Sequence, residues 1–180
     1  DGCLLFTDAA LLEDEKGELR LEPTSSRNEV FCYPPDRLAG AAKVSDGILG
    51  HCTIACNKRE IPLRIQMLVP FRYEIRLPEN ALHDLKDLRL QIRYTGDIGC
   101  LFLDGKMISD NFCNGDLWEV GLREYGDELR DHPLLLRIAP LREGARVHVE
   151  STMAARSESV QKTIASLDSV NAQPVYEITI

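Results

Sequence analysis

The sequence has no long hydrophobic run, few aromatic residues and fewer basic than acidic side chains. No apolar stretch approaches the roughly 18 residues that a membrane-spanning helix needs. With 29 Asp and Glu against 21 Lys and Arg, the formal net charge is −8. An acidic surface repels phosphate backbones, and the basic residues form no stripe. We therefore expect neither nucleic acid nor membrane as a partner.

Several catalytic fingerprints are also missing. The chain has no P-loop, no glycine-rich dinucleotide fingerprint and no G-x-S-x-G nucleophile elbow. Its four histidines lie far apart in sequence, at positions 51, 83, 132 and 148. A serine–histidine–acid triad can assemble from distant positions, so a small β-sandwich hydrolase stays open as an alternative.

The six cysteines, at positions 3, 32, 52, 56, 100 and 113, permit disulfides by their even number. A chain of 180 residues can bury a core without them, and most of these cysteines sit in apolar segments. Free, mostly buried thiols are therefore the favoured interpretation. The stretch "HCTIAC" (51–56) has a C-x3-C spacing and no second cluster, so no metal site is predicted.

Alternating apolar and polar residues are the dominant pattern that is present. They occur in "ELRLE" (18–22), "LRIQMLV" (63–69), "FRYEIRL" (71–77) and "LRLQIRY" (88–94). Such alternation buries one face of a strand and leaves the other in water. Prolines at the segment edges and glycines in the connections favour a sandwich or barrel of about nine or ten strands. The sequence thus predicts one all-β, antiparallel β-sandwich domain over residues 1–180.

Helical signals are scarce and short. Residues 81–88 could form one or two helical turns or a loop, and residues 122–129 could form a short helical turn. "LLLRIA" (134–139), "RVHVE" (146–150) and "VYEITI" (175–180) alternate like strands. Residues 151–173 could be a long connection with a short helix, or could hold a strand near 164–170.

A hairpin motif is the most specific pattern in the chain. In "LFLDGKMI" (101–108), Asp104 and Gly105 separate two apolar-rich runs, and Asp-Gly suits the positive φ angles of a type I′ turn. The motif extends to "Y-x-G-D" (94–97) before it and "D-N-F-x-N-G-x-x-W" (110–118) after it. Together these segments resemble the jelly-roll, galactose-binding-like domains appended to bacterial β-galactosidases and related glycoside hydrolases. The resemblance covers roughly residues 88–150.

The resemblance implies a function as well as a fold. Those enzymes carry their catalytic carboxylates on a separate (β/α)8 barrel, which takes about 250 residues and cannot fit here. The resemblance therefore implies a non-catalytic accessory domain, partnered by a barrel of the same parent chain, with binding of a galactose-containing glycan as an additional role. The first residue, Asp1, agrees with a piece cut from a longer glycoside hydrolase. Polysaccharide-degrading enzymes are often exported, so the expected location is periplasmic or extracellular.

Candidate binding residues lie in the polar loop after the hairpin. A sugar site pairs an aromatic ring with hydrogen-bonding groups, which suggests Trp118 with Asn111, Asn114 and Asp116. Alternatively, Trp118 is a core residue and the Asn and Asp side chains make turns. A stand-alone lectin-like module is a rival to the accessory domain. No cofactor is predicted, although the loop's oxygens would also suit a structural calcium ion.

Two further sets of charged residues have simpler explanations. Asp97 and Asp104 could be proposed as a catalytic acid and base, but each is explained by its turn, so no catalytic residue is predicted. Arg72, Arg76 and Arg93 fall on the polar faces of their strands. We expect them to be solvated or paired, with contact to a neighbouring domain as the alternative.

Overall fold

Antiparallel strands make up most of the described chain, which confirms the all-β class. The computed structural model describes residues 2–13, 15, 18–23, 25–38, 42–43, 47–56, 59–142 and 164–180. Within them lie fifteen strands, a 3₁₀ helix (Arg123–Tyr125) and a one-turn helix, α1 (Glu128–Asp131). The strands are β1 (Leu4–Thr7), β2 (Ala10–Glu13), β3 (Leu19–Glu22), β4 (Arg27–Tyr33), β5 (Ala42–Lys43), β6 (Gly50–Ala55), β7 (Arg64–Val69), β8 (Arg72–Arg76), β9 (Asp87–Thr95), β10 (Ile98–Leu103), β11 (Lys106–Phe112), β12 (Trp118–Gly121), β13 (Leu134–Ile138), β14 (Ser166–Val175) and β15 (Ile178–Thr179).

The predicted elements agree with these bounds where the alternation was regular. The four alternating segments became β3, β7, β8 and β9, but β7 is exposed at every position and does not bury the face expected of it. The expected one or two short helices are the 3₁₀ helix and α1. Residues 79–84 are turns rather than a helix. The strand expected near 164–170 is present as β14, whereas residues 151–163 of that segment lie outside the described residues. The strand expected at 146–150, with His148, lies outside the described residues.

The chain divides into two compact units. The first comprises Asp1–Arg59, Asp84–Lys86 and Pro174–Ile180, and the second comprises Glu60–His83 and Asp87–Gln173. The single domain expected over residues 1–180 stays a prediction.

The first unit contains two antiparallel sheets. Their strand orders are β1-β4-β6-β5 and β15-β3-β2. Alternate residues of β4, Asn28, Val30 and Cys32, are buried. The apolar pair packs with Leu21 of β3 and with Ala9 and Leu38 to form the core of this unit. Asn28 is accommodated in the interior because its side-chain amide donates to the Ser25 carbonyl at 2.8 Å.

A chain of alternating charges joins distant segments of the first unit. Glu177 accepts from Arg20 at 2.8 Å and lies 2.6 Å from the Lys86 ammonium, which also contacts Glu22 at 2.5 Å. Hydrogen bonding to Glu177 and Glu22 raises the pKa of Lys86, and hydrogen bonding to Lys86 lowers the pKa of Glu177. These partners bring the short 84–86 segment to β3 and to the carboxyl terminus.

The second unit also contains two sheets. One has five strands in the order β11-β10-β13-β8-β7, and the other has three in the order β12-β9-β14. Both contribute fully buried side chains to a core: Ile75, Leu88, Leu90, Ile92, Leu101, Leu134, Leu136 and Ile138. The Asp87 carboxylate holds the end of β12, because its Oδ1 accepts from the amides of Leu88, Leu122 and Arg123 at 2.7, 3.1 and 2.9 Å.

All six cysteines are free, as favoured from the sequence. Cys32 and Cys56 are buried, Cys52, Cys100 and Cys113 are partly buried, and Cys3 is exposed. Burial raises the pKa of the Cys52 thiol, which packs against the core of the first unit.

Candidate functional site

The predicted hairpin is present and fixes the position of the polar loop that follows it. Asp104 and Gly105 have φ angles of 46° and 74°, as a type I′ turn requires. β10 and β11 pair from Leu103↔Lys106 to Ile98↔Phe112. The loop after β11 is anchored to the start of β10, because the Cys113 amide donates to the Asp97 carbonyl at 2.9 Å.

Tyr94 connects the two sheets of the second unit beneath this loop. Its hydroxyl accepts from the Gly99 amide at 2.9 Å and donates to the Asn111 carbonyl at 2.6 Å. Burial raises the pKa of Tyr94, since a phenolate would lie in an environment of low polarity. Tyr94 therefore acts as a neutral hydrogen-bonding group that joins β9 to β10 and β11.

Trp118 is a core residue, which is the alternative that the sequence left open. Its side chain is 5% exposed, and its ring lies edge-on to Tyr94 with 5.9 Å between centroids. The indole N–H donates to the Ser109 hydroxyl at 3.2 Å. A Cβ atom at Gly99 would come within 2.7 Å of this ring, so only glycine allows the close approach of β10. The indole face is covered by protein and does not form an exposed platform for a sugar.

The other three candidate binding residues separate into two groups. Asn111 is partly buried, and its Oδ1 lies 3.1 Å from the Tyr94 hydroxyl. Asn114 and Asp116 are exposed and bonded to each other: the Asn114 amide donates to Asp116 at 2.7 Å, and the Asp116 amide returns a bond to Asn114 Oδ1 at 3.0 Å. The exposed aromatic ring in this region is Phe112, 69% exposed, which sequence reasoning did not choose.

Two of the histidines considered for hydrolysis, His51 and His132, contact carboxylates in the described part of the chain. In the first unit, His51 and Thr53 both bond to the Glu29 carboxylate, and the bond from His51 lowers the pKa of Glu29. A triad needs the hydroxyl to donate to the imidazole instead. In the second unit, His132 Nδ1 lies 3.7 Å from Asp104, at the tip of the hairpin. Among the described residues no group of three or more His, Cys, Asp or Glu is placed to hold a metal ion.

An exposed sheet face is the feature that sequence reasoning foresaw least. Register places Phe102, Leu135 and Glu74 in one row across β10, β13 and β8, and places Cys100, Arg137 and Arg72 in the next row. We call the surface formed by these two rows the outer face. Its opposite side carries the buried Leu101 and Leu136.

The outer face contains a shallow cavity of about 360 Å³. Seven residues line it: Leu68, Arg72, Tyr73, Phe102, Leu135, Leu136 and Arg137. Tyr73 and Leu136 are the two that register assigns to the opposite side of the sheet. Leu68 lies at a bulge in the edge strand β7, between Met67 and Val69. The alternation of "LLLRIA" could have placed Leu135 and Arg137 on one face, but not beside Arg72.

Comparisons with known proteins identify no relative: no family model matches the chain, and no curated protein matches it either. In the described part of the chain, no helix is long and apolar enough to cross a bilayer.

Proposed function

We propose that the chain is a non-catalytic accessory β-domain of a carbohydrate-active enzyme of the β-galactosidase type, with a jelly-roll, galactose-binding-like fold. Its role is to pack against the catalytic (β/α)8 barrel of the same parent enzyme. The enzyme class rests on the resemblance of roughly residues 88–150 to such domains. The packing role rests on the outer face described above.

The exposed apolar surface of the five-stranded sheet carries the proposal. Leu135 is 38% exposed although it lies in the central strand β13, and Leu68 of the edge strand β7, on the far side of β8, is also exposed. Phe102, opposite Leu135, is only partly buried. Contiguous apolar surface of this kind marks interaction sites, whereas isolated exposed apolar residues do not.

Two serine substitutions test the packing role. We expect Leu68→Ser and Leu135→Ser together to weaken association with the separately expressed barrel about 10- to 100-fold, because each removes apolar contact area from the interface. Isothermal titration calorimetry measures the dissociation constant. Ile65→Ser is the matched control, since Ile65 is also exposed on β7 but pairs with the inward-facing Ile75.

Two results would contradict the accessory role. One is hydrolysis of nitrophenyl glycosides by the 180-residue chain alone. The other is a parent reading frame that encodes no catalytic barrel. Equal weakening by Ile65→Ser would place the contact elsewhere on the sheet.

Glycan binding is a second candidate, favoured by the exposed Phe112 beside Asn114 and Asp116. It predicts that Phe112→Ala weakens binding of a galactose-terminated oligosaccharide about fivefold, since an aromatic contact contributes about 1 kcal/mol. Calorimetry with the isolated chain measures this change. Met107→Ala is the control, because Met107 is exposed on the same strand but far from the loop. An unchanged affinity in Phe112→Ala would remove this loop from consideration.

A further inference from the structure

Two arginines of the outer face stand directly opposite each other. Arg72 of β8 is the cross-strand partner of Arg137 of β13, so the two side chains leave the sheet on the same side. Both side chains are exposed. Within the described ranges, neither guanidinium makes an ion pair or a side-chain hydrogen bond. Like charges placed opposite one another destabilise a sheet, so this arrangement is unfavourable for the isolated chain.

The nearest carboxylates do not neutralise this pair. Glu74 shares the outer face with Arg72, but its carboxylate accepts from Arg76 Nε at 2.7 Å. Asp110 is in register with Cys100, which is itself opposite Arg137. Asp110 thus lies two strands from Arg137, about 9–10 Å away at the usual strand spacing. Although the chain has a net charge of −8, Arg72 and Arg137 are adjacent cations without a counter-ion in the described part of the chain.

Apolar side chains line the cavity beside the pair. The cavity beside it is lined by Leu68, Phe102 and Leu135 as well as by both arginines. A carboxylate that entered here would exchange water for two guanidinium groups, each of which can form a bidentate pair. Covering the apolar side chains would lower the local dielectric constant and strengthen that attraction.

We propose that the Arg72–Arg137 pair receives an Asp or Glu side chain of the catalytic domain, flanked there by apolar residues that cover Leu68, Phe102 and Leu135. This inference rests on the proposed function and adds the chemistry of the partner surface. The pair supplies orientation and specificity, and the apolar side chains supply the contact area.

The test combines charge variants with salt dependence. We expect Arg72→Gln and Arg137→Gln each to weaken association with the separately expressed barrel at least tenfold in calorimetry. The double variant should also lose most of the salt dependence of the wild-type affinity, since the screened charges are gone. Arg93→Gln is the control, because Arg93 is an exposed arginine on β9 of the other sheet. It should leave the affinity within twofold of wild type.

A second measurement needs no partner. If the pair is a docking device, Arg72→Gln and Arg137→Gln should keep or raise the urea midpoint of the isolated chain, because they relieve repulsion. A lower midpoint would assign the arginines a structural role and overturn the proposal.

The remaining outcomes separate this inference from the function on which it depends. If Leu135→Ser weakens association and the arginine variants do not, the outer face is the docking surface but the arginine pair does not receive a carboxylate. If the wild-type chain does not associate with the barrel, both proposals fall. If benzoate binds the isolated chain through the pair while association is unaffected by the arginine variants, the site serves a small anion and the proposal is overturned.

Discussion

Leu136→Ala is expected to lower the free energy of unfolding by about 2–5 kcal/mol, whereas Leu135→Ala should cost less than about 1 kcal/mol. The two leucines are neighbours in β13 but face opposite sides of the sheet. Leu136 is 1% exposed, and Leu135 is 38% exposed. Leu136 lies between Leu101 of β10 and Tyr73 of β8, so its removal leaves a cavity that these strands cannot close without breaking their register.

Urea unfolding followed by tryptophan fluorescence measures both variants, since Trp118 is the only tryptophan and is buried. The slope of the transition should be unchanged in both, because neither substitution alters the surface exposed on unfolding by much. Equal losses in the two variants would mean that the outer face is covered in solution, and would contradict the assignment of the two faces of β13.

The parts of the fold that were predictable are those in which one face is buried and the register is local. In β9, Leu88, Leu90, Ile92 and Tyr94 are buried while Arg89 and Arg93 are exposed, which reproduces the alternation of "LRLQIRY". The Asp104–Gly105 turn was equally predictable from the sequence, because the backbone angles of such a turn limit the choice of residues.

Strands and their pairings were harder to predict in the first sixty residues, for a physical reason. β2 is exposed on both faces, so its apolar residues do not alternate. β3 pairs with β15 at the other end of the chain, and β1 pairs with β4 across more than twenty residues. Pairings between strands so far apart cannot be predicted from a short stretch of sequence, because they depend on the packing of whole sheets.

The candidate site was predictable in its residue types but not in their placement. Trp118 was named as either platform or core, and the decisive fact is the close approach of Gly99, which no local pattern encodes. Arg72 was recognised as a polar-face residue with a neighbouring domain as one partner. Its position opposite Arg137 depends on the register of two strands about sixty residues apart, which only the folded sheet defines.

Tyr94→Phe is expected to lower the free energy of unfolding by about 1–3 kcal/mol near pH 7, because the Gly99 amide loses its acceptor and the Asn111 carbonyl loses its donor. Burial raises the pKa of Tyr94 in the folded chain above its unfolded value of about 10. As the pH rises past about 10, the unfolded chain releases this proton while the folded chain retains it, so the wild type loses stability. Phenylalanine has no such proton, so the Tyr94→Phe variant does not lose stability in this way.

The difference in stability between wild type and Tyr94→Phe should therefore be constant below about pH 9 and shrink above about pH 10. Urea titrations from pH 7 to 11 measure it, and the ionisation of lysines cancels because both chains share it. Tyr33→Phe is the control, since Tyr33 is exposed on β4 and should match the wild type throughout. A difference that stayed constant to pH 11 would mean that the folded chain releases the Tyr94 proton as readily as the unfolded one. The hydroxyl would then be open to water, and the hydrogen bonds that join β9 to β10 and β11 would not hold this end of the two sheets together.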